Sequence, residues 1–189
     1  MPTGAQRMAD ECGWELRRTI ENRRRKRQRS WIAGIAIAAL CAPLLLSPPR
    51  LVIWNASPSV REGLYWIDRR RRPTAGDLVI AWAPEKARKL AAERHYLSAS
   101  VPLVKLVVAI AGARACASES EVRIDGRPVA VRLARDLAGR PMPRWSGCRT
   151  LGPDEVLLLG AAPRSFDGRY FGVTSRRDIL GRAVLLWGR

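Results

Sequence analysis

The sequence contains few of the residue types that most catalytic centres use. It has one histidine, His95, and four cysteines among 189 residues. Neither type forms a cluster with the spacing of metal ligands, and no glycine-rich loop could hold the phosphates of a nucleotide. We therefore expect no metal and no cofactor. What remains is chemistry by hydroxyl, carboxyl or amine side chains, with His95 as the single imidazole available to act as a base.

Lysine is scarce as well, because 30 of the 34 basic residues are arginine. Lys105 nevertheless lies inside an apolar, strand-like run, residues 101–112. Burial disfavours the ammonium form, so the pKa of a buried lysine can fall from ~10.4 to roughly 5–6, whereas arginine keeps its proton. Lys105 is thus a candidate general base. The alternative is a lysine at a sheet edge with its ammonium group in water.

Only one long apolar run is present, residues 31–46, and it is preceded by a dense cluster of positive charge. Nine basic residues precede Pro49, and eight of them lie between Arg17 and Arg29. Under the positive-inside rule this pattern predicts a cytoplasmic basic segment (1–30), a single transmembrane helix (31–49) and an exported domain (50–189). Sixteen residues rise about 24 Å, less than the ~30 Å hydrocarbon core, so the flanks must contribute. A cleaved signal peptide is the alternative, and it too exports the domain.

Export gives two of the cysteines a role. Cys12 and Cys41 precede the exported domain or lie in the apolar run, which leaves Cys116 and Cys148 in an oxidising compartment. We expect these two to form a disulfide. Two separately buried thiols are the alternative, because sequence does not show proximity.

The exported domain is predicted to be mainly β, with one small helix. Short apolar, β-branched or aromatic runs are separated by Pro, Gly and Asp, and Asp125-Gly126 is a preferred type I′ hairpin turn. Residues 85–94, after Pro84, are rich in helix formers. The predicted strands are residues 51–54, 63–67, 77–82, 101–112, 121–130 as a hairpin, 155–159 and 179–186.

Two serines follow the apolar run closely, in Asn55-Ala-Ser57-Pro-Ser59, and Lys105 lies roughly forty-five residues further on. Ser-x-Ser after a single membrane span, followed by a lysine in an apolar strand, resembles the type I signal peptidase family. The stretch Ser165-Phe-Asp-Gly-Arg-Tyr-Phe-Gly172 is similar to that family's C-terminal box. Trp145-Ser-Gly-Cys148 and the terminal Gly-Arg-Ala resemble the TraF branch, whose members mature the pilin of conjugation systems.

The resemblance implies a mainly β signal-peptidase fold and a serine–lysine dyad. Ser59 would be the nucleophile and Lys105 the general base, and the Ser57 hydroxyl and the Ser59 N–H would stabilise an oxyanion. Three further side chains would support the site: Ser165, which orients the lysine, and the bracing pair Asp167 and Arg169. A Ser–His site using His95 is the alternative.

We therefore expect a single-pass protein of the bacterial inner membrane with a periplasmic catalytic domain. It would be a serine endopeptidase that processes an exported, membrane-associated precursor, which the resemblance suggests is a conjugative pilin, with cyclisation known among relatives. A general leader peptidase is an alternative of the same class. A non-catalytic basic envelope protein that binds lipid or DNA is another, because residues 50–189 carry 25 basic and 13 acidic side chains. Charge runs such as Arg69–Arg72 are usually solvated loops, so no specific nucleic acid partner is expected.

Overall fold

The computed structural model describes residues 27–38, 41 and 51–188. The chain divides into two units, Met1–Pro49 and Arg50–Arg189. In the first unit, residues 27–38 are helical and exposed. Among the described residues, no helix combines the length and the apolar character needed to span a membrane. Residues 39, 40 and 42–49 of the predicted anchor lie outside the described residues, as do residues 1–26, so the anchor and the cytoplasmic segment stay predictions.

The second unit is built mainly of β-strands, as the sequence predicts. Within residues 51–188 the strands are β1 (Val52–Asn55), β2 (Gly63–Asp68), β3 (Leu78–Ala81), β4 (Leu103–Ala109), β5 (Arg114–Ala117), β6 (Glu121–Ile124), β7 (Arg127–Val131), β8 (Gly147–Thr150), β9 (Glu155–Leu159), β10 (Thr174–Ser175) and β11 (Ile179–Gly188). The helices are α1 (Glu85–Glu93), α2 (Gly168–Phe171) and a 3₁₀ turn (Arg176–Asp178).

The strands form two antiparallel sheets. The larger sheet has seven strands in the order β1-β2-β11-β3-β4-β9-β10, and the smaller has four in the order β7-β6-β5-β8. Both sheets contain strands that are neighbours in sequence. In the larger sheet, β11 inserts between β2 and β3, so the last strand of the second unit pairs with strands near its start. The C-terminal strand therefore completes the sheet that carries the serine loop and the lysine.

The middle of the larger sheet is buried on both faces. Ile80 on β3 packs into one apolar cluster with Tyr65, whereas its neighbours Val79 and Ala81 pack into another with Val107. Successive side chains of a strand point to opposite faces, so this split follows from the strand geometry. Lys105 pairs with Val79 in the register of β3 and β4. The lysine consequently lies on a buried face of the sheet.

The hairpin turn and the disulfide of the smaller sheet agree with prediction. Asp125 and Gly126 both have positive φ, 49° and 80°, as the type I′ turn between β6 and β7 requires. Cys116 on β5 and Cys148 on β8 are directly opposite each other and are bonded. The predicted disulfide is confirmed, and it joins two strands that the sequence pattern did not reveal.

Candidate active site

The loop between β1 and β2 carries both candidate serines, and neighbouring side chains fix its backbone. Asn55, the buried last residue of β1, donates from Nδ2 to the carbonyl oxygens of Ser57 at 2.9 Å and Arg61 at 3.2 Å. The Tyr65 hydroxyl on β2 donates to the same Arg61 carbonyl at 2.6 Å. Because partners from two strands hold it, the loop presents its serines in a fixed arrangement.

The two serine hydroxyls lie side by side. Ser59 is only 4% exposed, and its Oγ accepts a hydrogen bond from Ser57 Oγ at 3.1 Å. The backbone N–H of Ser59 donates to Ser57 Oγ at 3.3 Å. The hydroxyl and the N–H predicted to stabilise an oxyanion are therefore adjacent to each other and to the candidate nucleophile.

Lys105 is buried on β4, as the sequence predicts for a candidate base. It is 4% exposed, and its Nζ donates to Ser165 Oγ at 2.9 Å. Burial lowers the pKa of Lys105 from 10.5 to about 8; the nearby Asp167 carboxylate opposes this shift and the Arg169 guanidinium adds to it. The alternative of a solvated lysine at a sheet edge does not hold. At mildly alkaline pH a substantial fraction of this amine is neutral and able to accept a proton.

Gly160 brings the serine loop and the lysine's partner together, and sequence reasoning missed it. A methyl group on Gly160 would lie 2.3 Å from Ser165 Oγ and 3.0 Å from Ser59 Cβ. The side chains of Ser59 and Ser165 thus face each other across a residue that has no room for a side chain. Ala161 adds a second link, since its N–H donates to the Ser59 carbonyl at 2.7 Å. The only signal in the sequence is a glycine directly after an apolar strand.

Asp167 and Arg169 form a buried ion pair behind this glycine. Arg169 Nε and Nη2 donate to the two carboxylate oxygens of Asp167 at 2.8 and 3.1 Å. The carboxylate accepts from the Gly160 N–H at 2.7 Å, and the guanidinium donates to the Gly160 carbonyl at 2.8 Å. Both partners therefore hold the backbone of Gly160, beside which the side chains of Ser59 and Ser165 lie.

The site opens into a cleft of about 990 Å³. Ser57, Ser59, Lys105 and Ser165 all line it, together with residues of α1 and of the loop from 133 to 142. His95, the alternative base, is exposed in the turn after α1 and is not among the lining residues. The arrangement of a buried hydroxyl, a lysine with a lowered pKa and two adjacent donors is suited to acyl transfer.

The chain is similar to several known proteins. A solved structure of signal peptidase I from Enterococcus faecalis V583 is 16% identical, covers 59% of this chain and 97% of that chain, and has a TM-score of 0.36. The plasmid transfer protein TraF of Escherichia coli is 32% identical over 170 residues, which is 82% of this chain and 93% of that protein. The probable conjugal transfer protein TraF of Sinorhizobium fredii NGR234 is 36% identical over 176 residues, 85% of this chain and 90% of that protein.

The family model described as signal peptidase, peptidase S26, matches residues 24–187. This match includes both candidate serines, Lys105 and the C-terminal box. The chain therefore belongs to the signal peptidase family, peptidase S26.

Proposed function

We propose that the protein is a serine endopeptidase in which Ser59 is the nucleophile and Lys105 the general base. Support comes first from Lys105, which is buried, has a pKa lowered to about 8 and is bonded to Ser165. Ser165 in turn faces Ser59 across Gly160. Burying an amine beside a buried hydroxyl lowers the stability of the fold. Buried groups with strongly shifted pKa values cluster at catalytic sites, where function can require such a loss of stability.

In the proposed reaction, neutral Lys105 Nζ takes the proton of Ser59 Oγ as this oxygen bonds to the substrate's carbonyl carbon. The negative charge passes to the carbonyl oxygen, where the Ser57 hydroxyl and the Ser59 N–H stabilise it. The Lys105 ammonium then gives its proton to the leaving amine, and the peptide C–N bond breaks. Water hydrolyses the resulting ester. If an amine of the precursor attacks instead, the product's ends are joined.

We propose an exported precursor as the substrate, and a pilin precursor in particular. The relatives in Escherichia coli and Sinorhizobium fredii are named as plasmid and conjugal transfer proteins, which supports a role in conjugation. A general leader peptidase would use the same chemistry on a wider range of precursors. Cleavage assays with an intact pilin precursor and with other exported precursors distinguish these two functions.

An exposed apolar face of the larger sheet supports a location at the bacterial inner membrane. Two rows of side chains cross β1, β2 and β11 on one face, as the strand registers give them: Val52, Trp66 and Val184, and Trp54, Leu64 and Trp187. Trp54 and Trp187 are 53% and 59% exposed, with ring centroids 5.8 Å apart. Tryptophan is favoured at membrane–water interfaces. The disulfide is consistent with a periplasmic domain.

The proposal is tested by co-expressing a candidate pilin precursor with the wild-type protein or with Ser59→Ala and measuring the precursor's intact mass. We expect the wild type to shorten the precursor, with the loss of one further water if the product is cyclised, and Ser59→Ala to leave it whole. Ser146→Ala, at an exposed serine outside the cleft, is the matched control. Processing by Ser59→Ala would contradict the assignment of Ser59, and a precursor left whole by the wild type would favour the non-catalytic envelope protein.

A further inference from the structure

The charge on the cleft walls is far from balanced. Residues 51–188 contain 23 basic and 13 acidic side chains, yet Asp136 is the one acidic residue that lines the cleft in this part of the chain. The basic residues that line it are Arg88, Arg94, Lys105, Arg135, Arg140 and Arg164. The general arginine bias of the sequence does not account for this ratio, so the cleft is specifically cationic.

Asp136 is already engaged and does not offset the other charges. Arg140 Nε lies 2.7 Å from its carboxylate, Arg94 Nη1 lies 3.8 Å away, and the Tyr96 hydroxyl donates to it. These contacts, led by the Tyr96 hydrogen bond, hold the pKa of Asp136 far below its usual range. They also tie the loop from 133 to 142 to the end of α1. Arg88, Arg135 and Arg164 do not pair with Asp136.

Arg88 is the most firmly placed of these. Its guanidinium lies 5.3 Å from the centroid of the Trp82 ring, so stacking fixes the side chain. Its Nε is buried without a hydrogen-bond partner, and no carboxylate lies within ion-pair distance of it among the residues that the structure describes. A guanidinium that stacks on a ring and makes no ion pair within the described part of the chain is suited to a carboxylate ligand.

Arg164 places a second charge at the reacting end of the cleft. It is exposed and directly precedes Ser165, which holds Lys105. Arg88 and buried Ala91 on α1 and Arg94 at its C-cap follow at three-residue spacing, so one face of this segment lines the cleft with a small residue between two cations. A peptide lying in the cleft would therefore meet positive charge both beside the dyad and along the helix.

We propose that the cleft selects acidic peptide segments, binding a substrate carboxylate through Arg88 and Arg164. This inference rests on the proposed function, because it names the chemistry of the segment that the peptidase receives. The carboxylate is that of an aspartate or glutamate side chain or that of a chain terminus. Precursors with an acidic residue near the processed bond would be bound in preference to neutral ones.

The test measures binding of fluorescent, alanine-rich peptides to the full chain carrying Ser59→Ala, which separates recognition from turnover. Peptides carry a central Glu or a central Gln, each with a free or an amidated C-terminus. The amidated Gln peptide has neither carboxylate and is the reference. We expect either the amidated Glu peptide or the Gln peptide with a free C-terminus to bind about tenfold more tightly than this reference at near-physiological salt. The arm that shows the preference identifies the source of the carboxylate.

Variants then assign the preference to the cleft. We expect Arg88→Gln or Arg164→Gln to reduce it to below about threefold. Arg127→Gln, on exposed β7 and outside the cleft, removes the same charge and should leave the preference unchanged. Arg164 is exposed, so its variant serves if Arg88→Gln fails to fold.

Equal or unmeasurable binding of all four peptides would overturn the inference. An equal loss of preference in Arg127→Gln would also overturn it, because it would show that net charge alone attracts the peptides. Failure of the proposed function gives a different result. In that case the peptide preference persists in Ser59→Ala while the wild type leaves the pilin precursor intact. Conversely, a wild type that cuts the precursor without any peptide preference contradicts only the selection of acidic segments.

Discussion

The two sheets of the domain place their ion pairs differently. The larger sheet and its loops bury charge, since Lys105, Asp167 and Arg169 are each less than 5% exposed. The smaller sheet keeps an ion pair outside, as in Arg123–Glu121 on β6, where the side chains are 49% and 31% exposed. Burying ionised groups costs free energy unless each is paired, whereas exposed pairs are nearly neutral. The larger sheet therefore gives up stability where the proposed chemistry needs it.

The smaller sheet differs from the larger one also in its core, which contains little apolar volume. Its strand β5 contributes alanines to the core cluster that it shares with Val122, Ile124 and Leu157. Alanine buries little surface, so packing alone stabilises this sheet weakly. The bond between Cys116 and Cys148 supplies a covalent restraint at that point. The stability of the larger sheet is thus reduced by its buried charges, and the stability of the smaller sheet is reduced by its small apolar core.

Lys105→Met should give the largest change, and the two readouts should move in opposite directions. We expect processing to fall by about 10⁴-fold or more. The free energy of unfolding at pH 7 should rise, by up to about 3 kcal/mol, because the variant no longer buries an ammonium group.

The pH dependence of that stability difference follows from the lowered pKa. Between the folded pKa of about 8 and the ordinary 10.5, the unfolded chain binds more protons, so wild-type stability rises with pH across this window. The advantage of Lys105→Met should therefore shrink as the pH rises and vanish above the window. Urea unfolding of both proteins at several pH values measures it. Lys89→Met, at an exposed lysine paired with Glu85, is the control, and a Lys105→Met variant less stable than wild type at pH 7 would contradict the assignment.

Arg169→Leu should destabilise the protein strongly, because it leaves the Asp167 carboxylate buried without its cation. Removing one partner of a buried pair typically costs about 3–5 kcal/mol. Arg123→Leu breaks the exposed pair with Glu121 on β6 and should cost roughly 0–1 kcal/mol. Chemical denaturation of the two variants gives the comparison directly. Similar losses in both would mean that the two sheets do not differ in the way described.

The sequence predicted these features unevenly, and the reasons are physical. β4 and β9 were predicted because a strand buried on both faces is a continuous apolar run. β5 and β8 were missed because an alanine-rich strand and a fully exposed edge strand, Gly147–Thr150, show no apolar alternation. The pattern of a strand depends on what covers it.

The same holds within the candidate site. Lys105 stood out because the chain is so poor in lysine, and the serines were found through family resemblance. Gly160 could not be found, because its role depends on contact between the end of β9 and a loop one hundred residues earlier. The partial opposition of Asp167 to the lysine's pKa shift also needs three-dimensional proximity. Residue type can suggest chemistry, whereas long-range contacts decide its tuning.

Replacing both Cys116 and Cys148 with alanine tests the smaller sheet alone. The bond closes a segment with a sequence separation of 32, for which chain entropy gives a stabilisation of about 3–4 kcal/mol. We expect that loss in urea unfolding, with processing preserved at temperatures where the variant is folded. The wild type under reducing conditions should show the same loss. If processing failed in the folded variant, the disulfide would belong to the site rather than to the stability of the smaller sheet.

Ser165→Ala should have the smallest effect and gives the most specific information about the site. Its Oγ accepts from Lys105 Nζ at 2.9 Å, and a bond to the ammonium form favours the protonated lysine. In the wild type, kcat/KM should rise with pH to a plateau above the lysine pKa of about 8. Removing the acceptor should lower that apparent pKa and reduce the plateau by about tenfold, since the amine loses its orientation.

A merely structural role for Ser165 would reduce the plateau and leave the apparent pKa unchanged, so the two readouts of the pH profile separate positioning from folding. Ser146→Ala, at an exposed serine outside the cleft, should change neither. The direction of the shift is itself decisive. An upward shift would mean that Ser165 stabilises the neutral amine, and the hydrogen bond would then have to run from the hydroxyl to the lysine nitrogen.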